Sequence, residues 1–280
     1  MTSIIIPAYN EASVIKRGLT ALLNEIGADD EVIVVCNGCH DNTADVARRV
    51  SDVIRVEVIE ESSKTAALNH GDAIASTFPR IYMDADTWLK SGSIEKIKST
   101  LLNTQCDAVS PEVEMCLKNS SWVVGAYYDI WLNLPYCQSG LIGAGVYALS
   151  EAGRGRFKQF PNIIADDGYV RSLFNDSERS IAKGAVSVVQ APSSLKWLLK
   201  IKIRSRKGGI ELSRSHLTLK HSNSKTDYFS VFVSLLKGRY HWGKFAVYFM
   251  INVIARILAN RELKDRSKNA WEQDLSSRKG

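Results

Sequence analysis

Apolar residues in the first hundred positions form short β-branched runs that alternate with stretches of helical spacing. Ser3 to Pro7 reads as a strand. Ala12 to Ile26 then sets Val14, Ile15, Leu19, Leu22, Leu23 and Ile26 on one helix face. Glu31 to Val35 is a continuous apolar strand, and Thr43 to Val50 is a helix capped by Asn42 or Thr43. Val53 to Ile59 predicts a third strand, Lys64 to Ser76 a helix of small residues, and Arg80 to Met83 a fourth strand. Strands alternating with helices imply right-handed crossovers, so the pattern predicts an α/β, Rossmann-like, mostly parallel sheet flanked by helices.

The second half has a different texture. Ala108 to Val113 reads as a strand, and Trp122 to Asn133 as an aromatic-rich helix ending near Pro135. Gly140 to Leu149 alternates small and apolar residues around Gly143 and Gly145, where a backbone or ligand can approach closely. Ala165-Asp166-Asp167 opens an amphipathic helix through Tyr169, Val170, Leu173 and Phe174, and Val186 to Val189 reads as a late strand. Arg204, Arg206 and Lys207 precede Gly208-Gly209 in what reads as a basic loop. Apolar residues return from Tyr228 to Leu258, where the longest run without charge, Phe245 to Ala255, is bounded by Lys244 and Arg256. That run is shorter than the ~20 residues of a bilayer span, which argues against a transmembrane helix. It leaves two readings, packing onto the domain or a basic amphipathic helix pair on an anionic membrane surface. The predicted division is a domain over 1–226 and a basic helical C-terminal extension over 227–280.

Composition narrows the setting. With 280 residues, 45% of them hydrophobic, the chain can bury one large core. The net charge of +6 comes mostly from Arg154 onward and suits phosphorylated substrates or anionic lipid. Nucleic acid is disfavoured, since no aromatic and basic residues interleave on a strand face. Cys36, Cys39, Cys106, Cys116 and Cys137 are an odd, scattered set without the pattern of a disulfide framework. The N-terminus has no basic leader, so the expected location is cytoplasmic, extending to a peripheral position on the inner face of the cell membrane. Cys36-Asn37-Gly38-Cys39-His40 spells a haem-attachment pattern, but such attachment belongs to exported proteins, and here the motif ends a buried strand. No second Cys or His pair completes a zinc site.

The chemistry concentrates in carboxylates. Asp84-Ala85-Asp86 follows Ile81-Tyr82-Met83, at the carboxyl end of a predicted strand, where open α/β sheets bind ligands. Mg²⁺ or Mn²⁺ takes oxygen ligands and keeps phosphates in its shell, so the pair suits a nucleotide diphosphate; the same triplet also makes an ordinary solvated turn. Lys64 opens a helix, where its ammonium can meet a phosphate or simply face water. Asp166 and Asp167 can be two acids facing one site, each raising the other's proton affinity, or the cap and first turn of the following helix.

Five segments, in order over residues 3 to 175, resemble family 2 glycosyltransferases. They are Ile4 to Glu11, Glu31 to Thr43, Lys64-Thr65-Ala66-Ala67-Leu68-Asn69, Asp84-Ala85-Asp86 and Ala165-Asp166-Asp167. The resemblance implies the A-type nucleotide-sugar fold and an inverting transferase that uses Mn²⁺ or Mg²⁺ and a UDP- or GDP-sugar. Its acceptor is a lipid, glycan or small molecule. On the donor side it implies Pro7, Ala8, Tyr9, Glu11, Asn37, Lys64, Asn69, Asp84, Ala85 and Asp86, with Asp86 on the metal and Arg204 and Arg206 closing over the diphosphate. On the acceptor side Gly143, Ala144 and Gly145 read as a floor, and Trp131 and Tyr136 either stack on sugar rings or belong to the core. The resemblance makes Asp167 the base, with Asp166 where a Glu often stands. Many relatives carry Asp where this chain has Cys36, which transfers base recognition to Asn37. The Gln-x-x-Arg-Trp of processive relatives is absent, so addition of one sugar is expected. His216 and His221 are further candidates to complete a metal shell.

Two other functions fit less of the chain. A nucleotidyltransferase also places a metal diphosphate site on a parallel sheet, but Ala8-Tyr9-Asn10-Glu11 is not a Gly-rich phosphate loop. A non-catalytic nucleotide-sugar-binding protein docked on a membrane has no need of Asp84, Asp86 and Asp167 together.

Overall fold

Three consecutive isoleucines, Ile4, Ile5 and Ile6, lose essentially all contact with solvent at the centre of the sheet, because a strand flanked by strands and covered on both faces has no polar side. The computed structural model describes residues 1–134, 137, 140, 143–215 and 242–264. In chain order the elements are β1 (Ser3–Ala8), α1 (Ile15–Leu23), β2 (Glu31–Asn37), α2 (Thr43–Arg48), β3 (Ile54–Ile59), α3 (Lys64–Ile74), β4 (Arg80–Met83), β5 (Thr87–Leu89) and α4 (Ser93–Asn103). There follow β6 (Ala108–Cys116), α5 (Trp122–Trp131), β7 (Val146–Leu149), α6 (Glu151–Arg154), α7 (Asp166–Ser172), β8 (Arg179–Gln190), α8 (Leu195–Arg214) and α9 (Trp242–Lys264).

The eight strands form one sheet in the order β3-β2-β1-β4-β7-β6-β8-β5. The first four are parallel, with Ser3 of β1 opposite both Glu31 of β2 and Arg80 of β4. Strand order reverses between β1 and β4, so the crevice at their carboxyl ends is the switch point where such sheets bind ligands. β7 runs antiparallel to β4 and sets Val146 opposite Met83, which brings the Gly143–Gly145 approach beside Asp84. The amide of Asp84 donates to the Gly145 carbonyl at 2.7 Å.

Five of the elements differ from the sequence reading. β5 and α4 have no counterpart in it: a strand of three residues is too short to show periodicity, and α4 buries only Ser93, Ile94 and Ile97. β8 begins at Arg179, well before Val186, because Gly184, at φ +77°, accommodates an irregularity that hides one long strand. The basic stretch Arg204 to Lys207 is helical and lies within α8, correcting the loop reading. Gly208 signals close packing there, since a Cβ on it would lie 3.0 Å from the Ala165 Cβ, and α8 thereby braces the segment that carries Asp166. Finally, the apolar run from Phe245 to Ala255 is part of one 23-residue helix, long and apolar enough to cross a membrane by length and composition.

α9 packs on α5 and α8 through Tyr248 and Ile251, which join Val124, Tyr127, Ile130 and Leu198 in one apolar cluster. Lys244 pairs with Asp129, and Lys207 pairs with Glu262 at 3.3 Å. A separate buried network centres on Asp72, which takes Arg80, Arg154 and the Tyr82 hydroxyl.

Candidate active site

The Asp84 to Thr87 segment is a tight turn: the Thr87 amide donates to the Asp84 carbonyl at 3.1 Å. α1 approaches it through Gly18, where a Cβ would stand 2.7 Å from the Thr87 carbonyl oxygen. The solvated-turn and ligand readings of Asp84-Ala85-Asp86 therefore describe one object, a turn that holds carboxylates at the sheet's rim. Lys64 is the first residue of α3, behind the Ser63 cap that accepts from the Ala66 amide. A cation at a helix N-terminus works against the helix dipole, so its position needs another source of favourable energy. It finds one in two carboxylates: Lys64 Nζ lies 2.9 Å from Asp84 Oδ1 and 3.2 Å from Asp166 Oδ2.

A single cleft is lined by Pro7, Lys64, Met83, Asp84, Gly143, Gly145, Asp166 and Asp167, with Leu68, Tyr82 and Tyr147 at its base. Burial raises the proton affinity of Asp167, and the neighbouring Asp166 charge adds to it, which pushes its pKa up to about 6. Burial raises Asp166 as well, against the opposing pull of Lys64. Burial disfavours the Lys64 ammonium, but Asp166, Asp84 and Asp167 outweigh that and hold its pKa above the ordinary lysine range. The Tyr147 hydroxyl is buried without a hydrogen-bond partner among the described residues, whereas Asp166 Oδ2 is held by Lys64. Asp167 Oδ1 accepts from the Gly168 amide at 2.6 Å, and Gly143, at φ +119°, lies so close that a Cβ there would come within 2.4 Å of Asp167 Oδ2.

The donor-side turns are tied together by groups that the sequence did not single out. Asn10 takes a left-handed φ of 53°, its Oδ1 accepts from the His40 amide, and its own amide donates to Cys39 Sγ. The Glu11 amide donates to Thr43 Oγ1 at 2.8 Å, and the Glu11 carbonyl accepts from the amides of Val14 and Ile15, so its backbone starts α1. Asn37 ends β2 and is buried, beside the equally buried Cys36. Ala8 and Ala85 are buried, and Tyr9 sits on the turn after β1.

Other expected site residues lie elsewhere. Asn69 is committed to the chain: its Nδ2 donates to the Phe160 carbonyl and its Oδ1 accepts from the Phe160 amide, which anchors the segment before α7 and uses both ends of the amide. Trp131 lies on the α5–α8 side, its ring 5.0 Å from Lys202 Nζ and edge-on to Tyr128, an aromatic enclosure for a lysine and not part of the cleft wall. Arg204 is exposed on α8 and Arg206 is half-buried on it; neither lines the cleft. Asp86 is likewise absent from the lining and interacts electrostatically with Arg17, which lies 3.6 Å over the Trp88 ring. Gly143 and Gly145 flank the cleft with Ala144 buried between them. Tyr136, His216 and His221 fall outside the described residues. Tyr82, Tyr147 and Leu68 were missed because aromatic and apolar residues inside strands and helices read as core.

Among the described residues no group of three or more His, Cys, Asp and Glu is assembled to hold a metal by itself. Mg²⁺ and Mn²⁺ at phosphate sites need only one or two carboxylates, with the rest of the shell from phosphate and water. The Asp84–Asp86 turn, with the Asp84 carboxylate in the cleft, fits that kind of donor set.

The family model for glycosyl transferase family 2 matches residues 3–136. Glycosyltransferase AglE of Haloferax volcanii is 31% identical over 143 residues, and an uncharacterized glycosyltransferase of Haemophilus influenzae is 27% identical over 141. These alignments cover 49% and 48% of this chain and 47% and 44% of the relatives, so the match spans about half of each curated protein. Among solved structures, a mannosyltransferase from Pyrobaculum calidifontis, in complex with GDP-Man and Mn²⁺, superposes with a TM-score of 0.62 at 17% identity, covering 97% of this chain and 76% of that one. S. aureus TarS 1-349, in complex with UDP-GlcNAc, gives 0.55 at 12% identity, covering 97% and 93%. With the cleft at the β1/β4 switch point and the family match running from the first strand through the Asp84 turn, residues 3–136 are similar to glycosyl transferase family 2 and the chain has the A-type nucleotide-sugar transferase fold.

Proposed function

We propose that the protein transfers one sugar from a nucleotide-diphosphate donor to an acceptor hydroxyl with inversion at the anomeric carbon. The observation that carries this is the joining of Asp84, Lys64, Asp166 and Asp167 in one cleft at the carboxyl ends of β1 and β4. Asp167, with a pKa near 6, is ionised at neutral pH yet basic enough to accept a proton as the acceptor oxygen attacks. The acceptor O–H proton passes to Asp167, the acceptor oxygen bonds to the anomeric carbon, and the bond from that carbon to the β-phosphate oxygen breaks to release nucleoside diphosphate. Lys64 supplies positive charge where negative charge collects on the departing phosphate. Asp166 keeps Lys64 oriented and ionised when Asp84 turns to the donor. Asp84 in the cleft, with Asp86 on the same turn, would hold Mn²⁺ or Mg²⁺, which would supply Lewis-acid stabilisation of the leaving group. Gly143, with no side chain beside Asp167, leaves room for the acceptor.

Structures of this fold occur in complex with GDP-Man and with UDP-GlcNAc, so the donor class we propose is a UDP- or GDP-sugar. The acceptor we propose is a cell-envelope lipid or glycan reached from the cytoplasmic side. The test is a panel of UDP- and GDP-sugars incubated with the full chain and Mn²⁺, with released nucleoside diphosphate measured by chromatography and the product anomer read by proton NMR. One donor consumed with inversion supports the proposal. Retention of the anomeric configuration, or no release from any donor with metal present, overturns it.

A further inference from the structure

α9 is apolar on both sides. Its inner side, at Tyr248, Ile251, Ala255 and Ala259, is buried. Its outer side exposes Trp242 at 59%, Phe249 at 49%, Met250 at 59%, Val253 at 39%, Ile254 at 37% and Ile257 at 47%. From residue 242 to 257 these positions extend along roughly 22 Å of helix. Arg256 is the charged exception among the exposed positions of that stretch, and its long stem lets the guanidinium reach past an apolar surface. A surface helix of a globular domain normally turns a polar face outward, and one that is apolar all round needs a second apolar neighbour.

The charge beside it indicates which neighbour. α8, packed against α9 and joined to it by Lys207 and Glu262, exposes Lys196, Lys200 and Arg204 at successive four-residue steps, a basic stripe along one side of that helix. At the start of α5, also packed on α9, Trp122 is 67% exposed. Exposed apolar surface, tryptophans at its edges and adjoining lysines and arginines match the layers of a bilayer with anionic head groups: acyl chains, interface and phosphates.

We propose that α9 docks the protein on an anionic lipid surface, lying in the plane of the membrane with its outer face at the head-group boundary. Length and composition would also allow α9 to cross a bilayer, but its contacts select the in-plane arrangement. Lys244 near its start is paired with Asp129 of α5, Glu262 near its end is paired with Lys207 of α8, and the side between them is part of a buried cluster. Threading the helix through lipid breaks both pairs and strips that cluster, whereas docking the outer face leaves all of these contacts in place. The inference is independent of the chemistry assigned to the cleft.

The test is flotation of the full chain with vesicles of phosphatidylcholine alone or of phosphatidylcholine with phosphatidylglycerol. The expected result is strong binding to the anionic vesicles and several-fold less to the neutral ones. M250E/I254E is expected to lower binding at least about tenfold, and K196E/K200E to remove the anionic preference, both with unchanged melting temperature and unchanged nucleotide release in solution. The proposal is overturned if the wild-type chain fails to float with either vesicle, or if M250E/I254E floats as wild type does. It is also overturned if light scattering without vesicles shows a dimer that M250E/I254E dissolves, because the face then belongs to a second copy. Retention of the protein in cell membranes after alkaline carbonate washing overturns the in-plane arrangement in favour of a span.

Discussion

Replacing Asp167 with Asn separates chemistry from stability. Asn keeps the shape and can still accept from the Gly168 amide at Oδ1, but it cannot take a proton. Loss of a general base costs roughly 10² to 10⁴ in rate, or about 3 to 5 kcal/mol of transition-state stabilisation. With a folded pKa of about 6, Asp167 is about nine-tenths ionised at pH 7 and about one-tenth at pH 5, so wild-type kcat/KM falls roughly tenfold over that interval. The same shift acts on stability with the opposite sense. A carboxyl whose folded pKa lies above its unfolded value of 3.8 binds more protons in the folded state, so wild-type stability falls as pH rises from about 4 to about 6. The cost at pH 7 is at most about 3 kcal/mol. D167N removes it, so the variant melts several degrees higher than wild type at pH 7, an advantage that fades below about pH 4. The assay is nucleoside diphosphate release between pH 5 and 8, with scanning calorimetry on the same proteins. A wild-type kcat/KM that stays flat from pH 5 to 7, a D167N variant with most of its activity, or a D167N melting temperature below that of wild type at pH 7 refutes the assignment.

Other substitutions test other parts of the cleft and its frame. K64M leaves Asp84, Asp166 and Asp167 without their shared cation, so the acid limb of the pH–rate profile moves above pH 6 and the donor KM rises; a profile that stays in place contradicts the ion-pair geometry. G143A forces a Cβ onto Asp167 Oδ2 and a left-handed φ onto a residue with a side chain, so kcat drops at least tenfold while donor-induced thermal protection changes little. D72L strands Arg80 and Arg154, whose side chains are 12% and 13% exposed, and lowers unfolding free energy by about 3 to 5 kcal/mol in urea titration; a loss below about 1 kcal/mol speaks against a structural role for that network.

Much of this arrangement was legible in the chain because it depends on local pattern. Ile4 to Ile6 and Val32 to Val35 can only be central strands, and their order with the intervening helices sets the switch point at β1 and β4. Asp84 could be placed at the sheet's rim because a strand end is marked by composition, whereas Asp167 was placed by the resemblance to the family pattern. What stayed hidden depends on long-range packing. Gly208 looks like a helix breaker in sequence, yet it lies inside a 20-residue helix, where its missing Cβ admits Ala165. Asn69 matches a motif position, but its amide is used up by Phe160, 91 residues away. Trp131 has the chemistry to stack on a sugar, and only the fold reveals Lys202 near its ring. Tyr147, which lines the cleft and whose hydroxyl has no hydrogen-bond partner among the described residues, sits within an apolar strand and carries no sequence signal of its own.

The central claim is that the donor's diphosphate is held in the cleft at Asp84 and Lys64. Thermal protection by the donor with Mn²⁺ tests it directly, since a ligand that binds only the folded protein raises its melting temperature by an amount that grows with the logarithm of its concentration over Kd. The expected result is a metal-dependent rise of several degrees for wild type that disappears in D84N and in the presence of EDTA. Equal protection of wild type and D84N, or protection indifferent to EDTA, would contradict it.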